Sequence, residues 1–266
     1  MLQVEVVARL ENRVAYAYEG AADDDGLAQW LAALTDEHPG EPRPWREPAR
    51  PDHLQIAPKK ERKPLPSPRA LHDPVMRVRC LHTFANHELM ALELMAWGIL
   101  AYPDAPSAFR RGLAWLVFEE QEHLRLYIER IEQLGERFGA LPLNDHFWRL
   151  APLLETPAQW VCAMNLTFEQ ANLDHAPVFG AHFREAGDEE SAALMDRITQ
   201  DEIKHVGFGV RWLRHFSQDQ TASFENFTEN LTSYNSATRA RGEQINEKAR
   251  LEAGLDQAFI DKLSAL

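Results

Sequence analysis

Cysteine is scarce in this sequence, and long hydrophobic runs are missing from it. The two cysteines among 266 residues, Cys80 and Cys162, lack the C-x-x-C spacing of redox and zinc motifs, so we expect both to be reduced and structural. No apolar run approaches the roughly 18 residues that a membrane-spanning helix needs, which predicts no membrane association. The first residues lack the basic and apolar regions of a secretory signal, so the expected localisation is cytoplasmic.

Positive charge is also in deficit. The 28 lysines and arginines stand against 41 aspartates and glutamates, which gives a net charge of −13 at pH 7. Such a surface repels a phosphate backbone, which makes nucleic acid an unfavourable partner. One basic stretch is the exception; it either pairs with the acidic body of the protein, the interpretation we favour, or meets an anionic partner. This stretch comprises Lys59, Lys60, Arg62 and Lys63, followed by Arg69, Arg77 and Arg79.

The N-terminal segment, residues 1–70, carries the signals of an extended arm. Alternating apolar residues over 2–19 predict a small β-hairpin, and Asp23 to Asp25 can cap a short amphipathic helix. Between Pro39 and Pro74 the chain holds ten of its sixteen prolines. Proline lacks the backbone N–H that helices and sheets use. We therefore predict an arm that lies along the helical body of the protein.

Four long helices follow, because apolar residues recur at helical spacing from about Val75 onward. Prolines, glycines and N-capping residues mark where each helix begins and ends. The first helix is predicted to run to about Ala101, the second from Ser107 to between Gly135 and Gly139, the third from Thr156 to Gly187, and the fourth from Asp188 to about Ser217.

The connections complete the expected fold. The stretch between the second and third helices is longer than antiparallel neighbours need, which predicts a crossover. Beyond Thr221 the pattern predicts several shorter helices, with Gly254 as a C-cap. The expected fold is therefore all-α, with a four-helix bundle and long crossover over residues 71–218 and a helical tail over 219–266 packed on the bundle.

Two of the long helices each carry a glutamate and a histidine three residues apart. Glu120 and His123 form this pair in the second helix, and Glu202 and His205 form it in the fourth. Residues at i and i+3 share one face of an α-helix, about 5–6 Å apart, so each pair can bind the same metal ion. One such pair is expected by chance in a chain of this composition, so a pair indicates a metal site only if further ligand residues occur elsewhere in the chain.

The other two long helices each place a glutamate in an otherwise apolar segment. Glu88 lies 32 residues before Glu120 (120 − 88), and Glu169 lies 33 residues before Glu202 (202 − 169). The chain therefore resembles a doubled helix pair, in which each half contributes a glutamate and a Glu-x-x-His motif. The predicted metal ligands are Glu88, Glu120, His123, Glu169, Glu202 and His205.

Four carboxylates and two imidazoles in a bundle core match the ligand set of two divalent transition-metal ions. Burying a carboxylate without a partner costs several kcal/mol. The six side chains must therefore either face solvent or bind cations.

Further acids on the same helices are candidates for orienting the metal-binding histidines. A ligating imidazole usually donates its second N–H to a carboxylate, a carbonyl or water. The candidates are Glu93, Asp174, Glu119 and Asp201, and which acid would serve which histidine is left open.

The two halves differ one turn beyond each histidine, where Tyr127 in one corresponds to Gly209 in the other. In the functional interpretation, Gly209 opens space for O₂ or substrate, and Tyr127 donates a hydrogen bond or shuttles charge. In the structural interpretation, which we favour, both are core residues at a helix crossing. Pro177 is predicted to kink the third helix and could widen the same region.

Four segments carry a resemblance to a known superfamily: residues 86–94 (NHELMALEL), 120–123 (EQEH), 166–174 (LTFEQANLD) and 201–206 (DEIKHV). In these the chain resembles the ferritin-like di-iron carboxylate proteins, and most closely the ferritin-like family called domain of unknown function 455. The resemblance covers about residues 70–216. It implies a ferritin-like four-helix bundle in which the six predicted ligands hold two irons, but it brings no substrate.

An O₂-activating oxidase or oxygenase is the first functional hypothesis. Two reduced irons would use O₂ to hydroxylate, desaturate or otherwise oxidise a small organic substrate, with an external electron donor as a further partner and a monomer or dimer as the assembly. The alternatives are a peroxide scavenger with iron or manganese, a ferritin-like iron-binding protein, a non-enzymatic metal-bound interaction module and, ranked lowest, an RNA-nucleoside hydroxylase.

Overall fold

The computed structural model describes residues 36–266. The predicted hairpin over 2–19 and the short helix that follows it lie outside these residues. Within 36–266 no β-strand occurs, and the one β-type pairing is an isolated bridge between Ile56 and Leu143. The prediction of an all-α protein is therefore confirmed for this part of the chain. None of its helices is long and apolar enough to cross a membrane.

The long helices lie where the apolar periodicity places them. Helix α1 spans Pro74–Ala101, α2 spans Ser107–Gln133, α3 spans Pro157–Ala163, α4 spans Gln170–Glu185 and α5 spans Glu189–Phe216. A π-helical segment, Met164–Glu169, joins α3 to α4, so the predicted third helix is continuous but not α-helical throughout. Three shorter helices follow in the tail: α6 at Phe224–Glu229, α7 at Glu247–Glu252 and α8 at Gln257–Ser264. Short 3-10 helices occupy Asp52–Leu54, Pro68–His72, Ala151–Leu153 and Ala237–Ala240.

Side-chain caps set the helix starts. Asp73 accepts a hydrogen bond from the Val75 N–H at the start of α1, where Pro74 occupies the first turn. Thr156 and Gln159 form a reciprocal capping box at the start of α3. Gly254 follows α7 with φ of 93°, a conformation that suits glycine, so the predicted C-cap is confirmed.

Two compact units make up the described chain. The first contains residues 36–66 and 73–151, and α1 and α2 pack against each other within it. The proline-rich arm lies along α1 in this unit: the Arg43 N–H donates to the Leu100 carbonyl at 2.8 Å, and Trp97 Nε1 donates to the Trp45 carbonyl at 2.8 Å. The predicted placement of the arm on the helical body is confirmed for this stretch.

The second unit contains residues 67–72 and 152–266. Its long helices α4 and α5 pack against each other, and the tail helix α7 contacts both. Cys162 is fully buried in α3 and Cys80 is fully buried in α1 of the first unit, and both are free thiols, as predicted. Burial raises the pKa of both thiols, which keeps them protonated and unreactive.

Candidate metal centre

The first unit brings three of the predicted ligands together. Glu88 projects from α1, and Glu120 and His123 project from α2; their side chains are buried, and their ligand atoms lie within 4.8 Å of one another. His123 Nδ1 is 3.8 Å from a carboxylate oxygen of Glu88 and 3.8 Å from one of Glu120. The helical spacing thus places Glu120 and His123 on one face, and the packing of α1 on α2 adds Glu88.

Without a cation, the buried carboxylates of this cluster raise the free energy of the folded protein. Burial raises the pKa of the Glu88 carboxyl well above its ordinary value, and the neighbouring Glu120 carboxylate raises it further, whereas the hydrogen bond and charge of His123 act in the opposite direction. A divalent cation would replace the proton and neutralise both carboxylates. Carboxylate oxygens and imidazole nitrogen are ligands that iron, manganese and zinc accept.

Two aromatic side chains, Phe84 and Tyr127, lie one helical turn from the predicted ligands of this unit. Tyr127, one turn beyond His123, is only 2% exposed, and its ring centroid is 6.0 Å from that of Phe84. Phe84 itself lies one turn before Glu88 on α1. The structure thus gives Tyr127 the core position of the structural interpretation, and a role for its hydroxyl in catalysis stays a prediction.

The second unit brings the other three predicted ligands to buried positions. Glu169 ends the π segment, and Glu202 and His205 lie on α5. His205 Nδ1 is 3.5 Å from Glu202 Oε2, and ligand atoms of His205 and Glu169 lie within 4.8 Å of each other. Glu202 Oε2 accepts no hydrogen bond from any described residue. A buried carboxylate oxygen in this state has the free lone pairs that a metal ligand requires.

Two asparagines in the second unit hold the ligand carboxylates, and the sequence reasoning missed both. Asn165 Nδ2 donates to Glu169 Oε2 at 2.5 Å, and Asn172 Nδ2 donates to Glu202 Oε1 at 2.9 Å. Hydrogen bonds from neutral amides offset part of the desolvation of a buried carboxylate. A usable signal existed, since both amides interrupt an apolar stretch within four residues of Glu169.

Gly209 does not open a space, and that hypothesis is wrong. A Cβ atom at Gly209 would lie 2.5 Å from the Cβ of Asn165 and 3.0 Å from Cδ2 of Leu166, both in the π segment. The space that a side chain at Gly209 would occupy is therefore taken by the π segment, against which α5 packs closely. The close approach lets Asn165 occupy the position from which it reaches Glu169, so Gly209 acts on the site through packing.

The π segment has its own local support. The Thr167 hydroxyl donates to the Cys162 carbonyl five residues earlier, at 2.7 Å. Farther along, α4 continues through Pro177. Proline leaves the carbonyl four residues before it without its helical donor; the Asn246 side chain supplies a replacement to the Leu173 carbonyl at 3.2 Å.

Glu93, a candidate for orienting a histidine, binds other partners. Its two carboxylate oxygens accept from Arg50 Nε and Nη2 at 2.7 and 2.6 Å, and Oε2 also accepts from Trp148 Nε1 at 2.7 Å. Arg50 belongs to the arm and Trp148 to the connection after α2. Glu93 therefore fastens both segments to α1.

Asp174, the counterpart of Glu93 in the second half, performs the same task for the tail. It accepts from Arg250 at 2.6 and 2.8 Å, and from the backbone N–H groups of Gly242 and Asn246 at 2.8 and 2.7 Å. The Arg250 and Asp174 side chains are 0% and 1% exposed. The repeated acid thus anchors a terminal segment through a buried arginine in each half.

Asp201 and Glu119 are half-buried next to ligand residues on their helices. Asp201 forms ion pairs with Lys204 at 2.7 Å and with Arg197 at 3.8 Å. The orientation of a histidine by either acid stays a prediction.

Sequence comparison identifies the family. Residues 8–261 match the family described as "Protein of unknown function (DUF455)", and the chain belongs to that family. No curated protein and no solved structure matches the chain.

Proposed function

We propose that this DUF455-family protein is a ferritin-like four-helix bundle that binds two divalent metal ions, iron in preference to manganese. It would use them to activate O₂ for the oxidation of a small organic substrate. The observation that carries the proposal is the repetition, in each unit, of a buried glutamate with a buried Glu-x-x-His motif. The proposed ligands are Glu88, Glu120, His123, Glu169, Glu202 and His205.

The energetics of burial support metal binding at both half-sites. Each proposed ligand residue is at most 5% exposed, and a buried carboxylate without a cation costs several kcal/mol. Glu88 is the clearest case, because its raised pKa shows that the folded protein disfavours its charge. A protein that keeps four such carboxylates in its interior gains most when they bind cations.

Bound iron would supply the electrons that reduce O₂, and the protein would supply position, dryness and proton control. The Glu88 carboxyl can hold a proton in the metal-free protein and release it when a cation binds. Asn165 and Asn172 orient the carboxylates of Glu169 and Glu202. The rings of Phe84 and Tyr127, whose centroids lie 6.0 Å apart, would add apolar surface one helical turn from Glu88 and His123.

The choice between oxidase and peroxide scavenger is tested by the oxidant. Protein loaded anaerobically with Fe(II) is mixed in separate experiments with O₂ and with hydrogen peroxide, and the absorbance of the metal centre is followed. The proposal predicts rapid oxidation by O₂. Oxidation by peroxide alone, with Fe(II) stable in O₂, would replace it with the scavenger. Gel filtration in the same samples tests storage, since a monomer or dimer excludes a ferritin cage.

A further inference from the structure

A cleft of about 420 Å³ opens on the first unit. Its lining comes from the arm, from α1 and from the connection after α2, and it does not include Glu88, Glu120 or His123. The volume falls within the roughly 300–1,000 Å³ of small-molecule sites. This cleft is therefore large enough for a ligand of its own.

The charge of the cleft is opposite to that of the protein. Among residues 36–266, four cationic side chains and one carboxylate, that of Asp145, line the cleft, whereas the whole chain carries −13. Concave sites lined by charge of one sign concentrate ions of the other sign. The cationic side chains are Lys59, Arg62, Lys63 and Arg149.

The two arginines of the cleft are already held in place. Arg62 donates to the Asp145 carboxylate at 2.5 and 3.3 Å and to the Ala57 carbonyl at 2.7 Å, while Arg149 also pairs with Asp145, at 2.9 Å. The arm is tied to the connection beside them, since the Ala57 N–H donates to the Leu143 carbonyl at 3.0 Å. One carboxylate thus balances two guanidinium groups, and the wall that carries them is fixed.

The two lysines of the cleft differ from its arginines. Lys59 and Lys63 are exposed, and neither forms an ion pair with any residue in 36–266. The favoured prediction that this basic stretch pairs with the acidic body is therefore correct for Arg62 but not for these lysines. Lysine ammonium groups bind phosphate and carboxylate well as point charges.

An organic group also has surfaces to contact in the cleft. Pro64 and Leu65 supply apolar lining, and Leu65 is 37% exposed. The His87 ring, another lining group, is held by stacking on Phe147, with centroids 5.3 Å apart and planes 28° from parallel. Charged and apolar surfaces thus lie within one site.

We propose that this cleft binds a small organic anion, whose phosphate or carboxylate group contacts Lys59 and Lys63 and whose carbon skeleton lies against Pro64 and Leu65. The site stands independently of metal binding, because none of the six proposed metal ligands lines it.

Binding is measured by calorimetry on the full chain, with phenyl phosphate and with benzoate as probes at constant ionic strength. Chelator-treated protein is used, so that the probes cannot bind to metal instead. We expect saturable binding of at least one probe with a Kd of roughly millimolar or tighter, and the tighter probe identifies the head group. The Lys59→Gln, Lys63→Gln double variant should weaken this binding at least tenfold.

The matched control is the Lys60→Gln, Lys248→Gln double variant, which removes the same charge from exposed lysines outside the cleft lining. It should bind the probe as the wild type does. Failure of both probes to bind the wild type overturns the proposal. Equal weakening by the two double variants also overturns it, because a general charge effect would then explain the binding. Thermal unfolding of each variant checks that all are folded.

Discussion

The two proposed half-sites carry the same residue types at nearly the same spacing, yet different groups surround them. Phe84 lies four residues before Glu88, and Asn165 lies four residues before Glu169. Four residues after the histidine, the first half has Tyr127 and the second has Gly209. Phe84 faces the ring of Tyr127, whereas Asn165 fills the space left by Gly209. Two aromatic rings thus pack together in the first half, whereas in the second half an asparagine packs against a glycine.

This difference gives the two half-sites different electrostatics. Three residues after the first glutamate, the first half has Ala91 and the second has Asn172, which donates to Glu202. In the second half amides donate to the carboxylates, whereas in the first half burial and the neighbouring Glu120 raise the pKa of Glu88. A repeated ligand set can thus be embedded in unlike surroundings, and the following variants test what that contrast does.

Removal of a histidine ligand should have the largest effect. His123→Ala and His205→Ala are each expected to lose at least one metal ion per chain and to weaken the remaining binding by more than the 10–100-fold typical of an outer partner. Metal analysis after dialysis measures the loss. His182→Ala is the control, since that side chain is 27% exposed and pairs with Glu185. Full metal retention by His123→Ala or His205→Ala would remove that half from the site.

The buried anchors should affect stability more than metal binding. Asp174→Ala leaves the buried Arg250 without its partner and should lower the free energy of unfolding by about 3–5 kcal/mol. Glu93→Ala should cost less, because the Glu93 side chain is 11% exposed. Chemical denaturation of the metal-free variants measures both. If either folded variant lost metal without losing stability, that acid would act on the metal site and not as an anchor.

The close packing of Gly209 against Asn165 is tested by the Gly209→Ala variant. The added methyl group must displace Asn165 or Leu166, which should cost about 1–3 kcal/mol and weaken metal binding through Glu169. Gly207→Ala on the same helix is the matched control, since its Cβ would meet the Ala253 carbonyl oxygen at 3.3 Å. An equal effect of the two substitutions, or no change in metal affinity for Gly209→Ala, would contradict the positioning role.

The smallest effect concerns pH in the metal-free protein. A raised pKa in the folded state means that the Glu88 carboxyl takes up its proton before the unfolded chain does as the pH falls. Its contribution to stability is therefore greatest below the ordinary value of 4.5 and is lost as the pH rises through the raised pKa. Glu88→Gln should stabilise the metal-free protein near neutrality, because it removes a buried charge that the folded state disfavours.

Glu202→Gln provides the comparison for the pH prediction. Asn172 already donates to that carboxylate, so the substitution should gain less than Glu88→Gln at neutral pH. Thermal unfolding between pH 4 and 8 measures both differences. A gain for Glu88→Gln that does not shrink toward acid pH would show that burial of its charge is not the cause.

Local chemistry made much of the fold predictable. The N-cap at Thr156 and the glycine at 254 set boundaries that the structure confirms. The i, i+3 spacing placed each Glu-x-x-His motif on one helix face, because that spacing is a property of the helix alone.

Contacts between residues far apart in the sequence could not be predicted, because they depend on tertiary packing. Arg50 lies 43 residues from Glu93 and Arg250 lies 76 from Asp174, and no local pattern links such pairs. The π segment has no sequence signature in its own residues, and the packing of Gly209 depends on which side chains of that segment approach it. The sequence favoured Gly209 as a core residue at a helix crossing, but it could not identify Asn165 and Leu166 as the residues that approach it.

The proposed function requires that the six predicted ligands hold two metal ions per chain. It is tested most directly by loading the wild-type protein with Fe(II) under anaerobic conditions, removing free metal by gel filtration and measuring iron per chain. We predict two irons per chain in the wild type and fewer in the Glu202→Ala variant. One iron or none per wild-type chain would contradict the two-metal centre, and undiminished iron in Glu202→Ala would exclude that ligand.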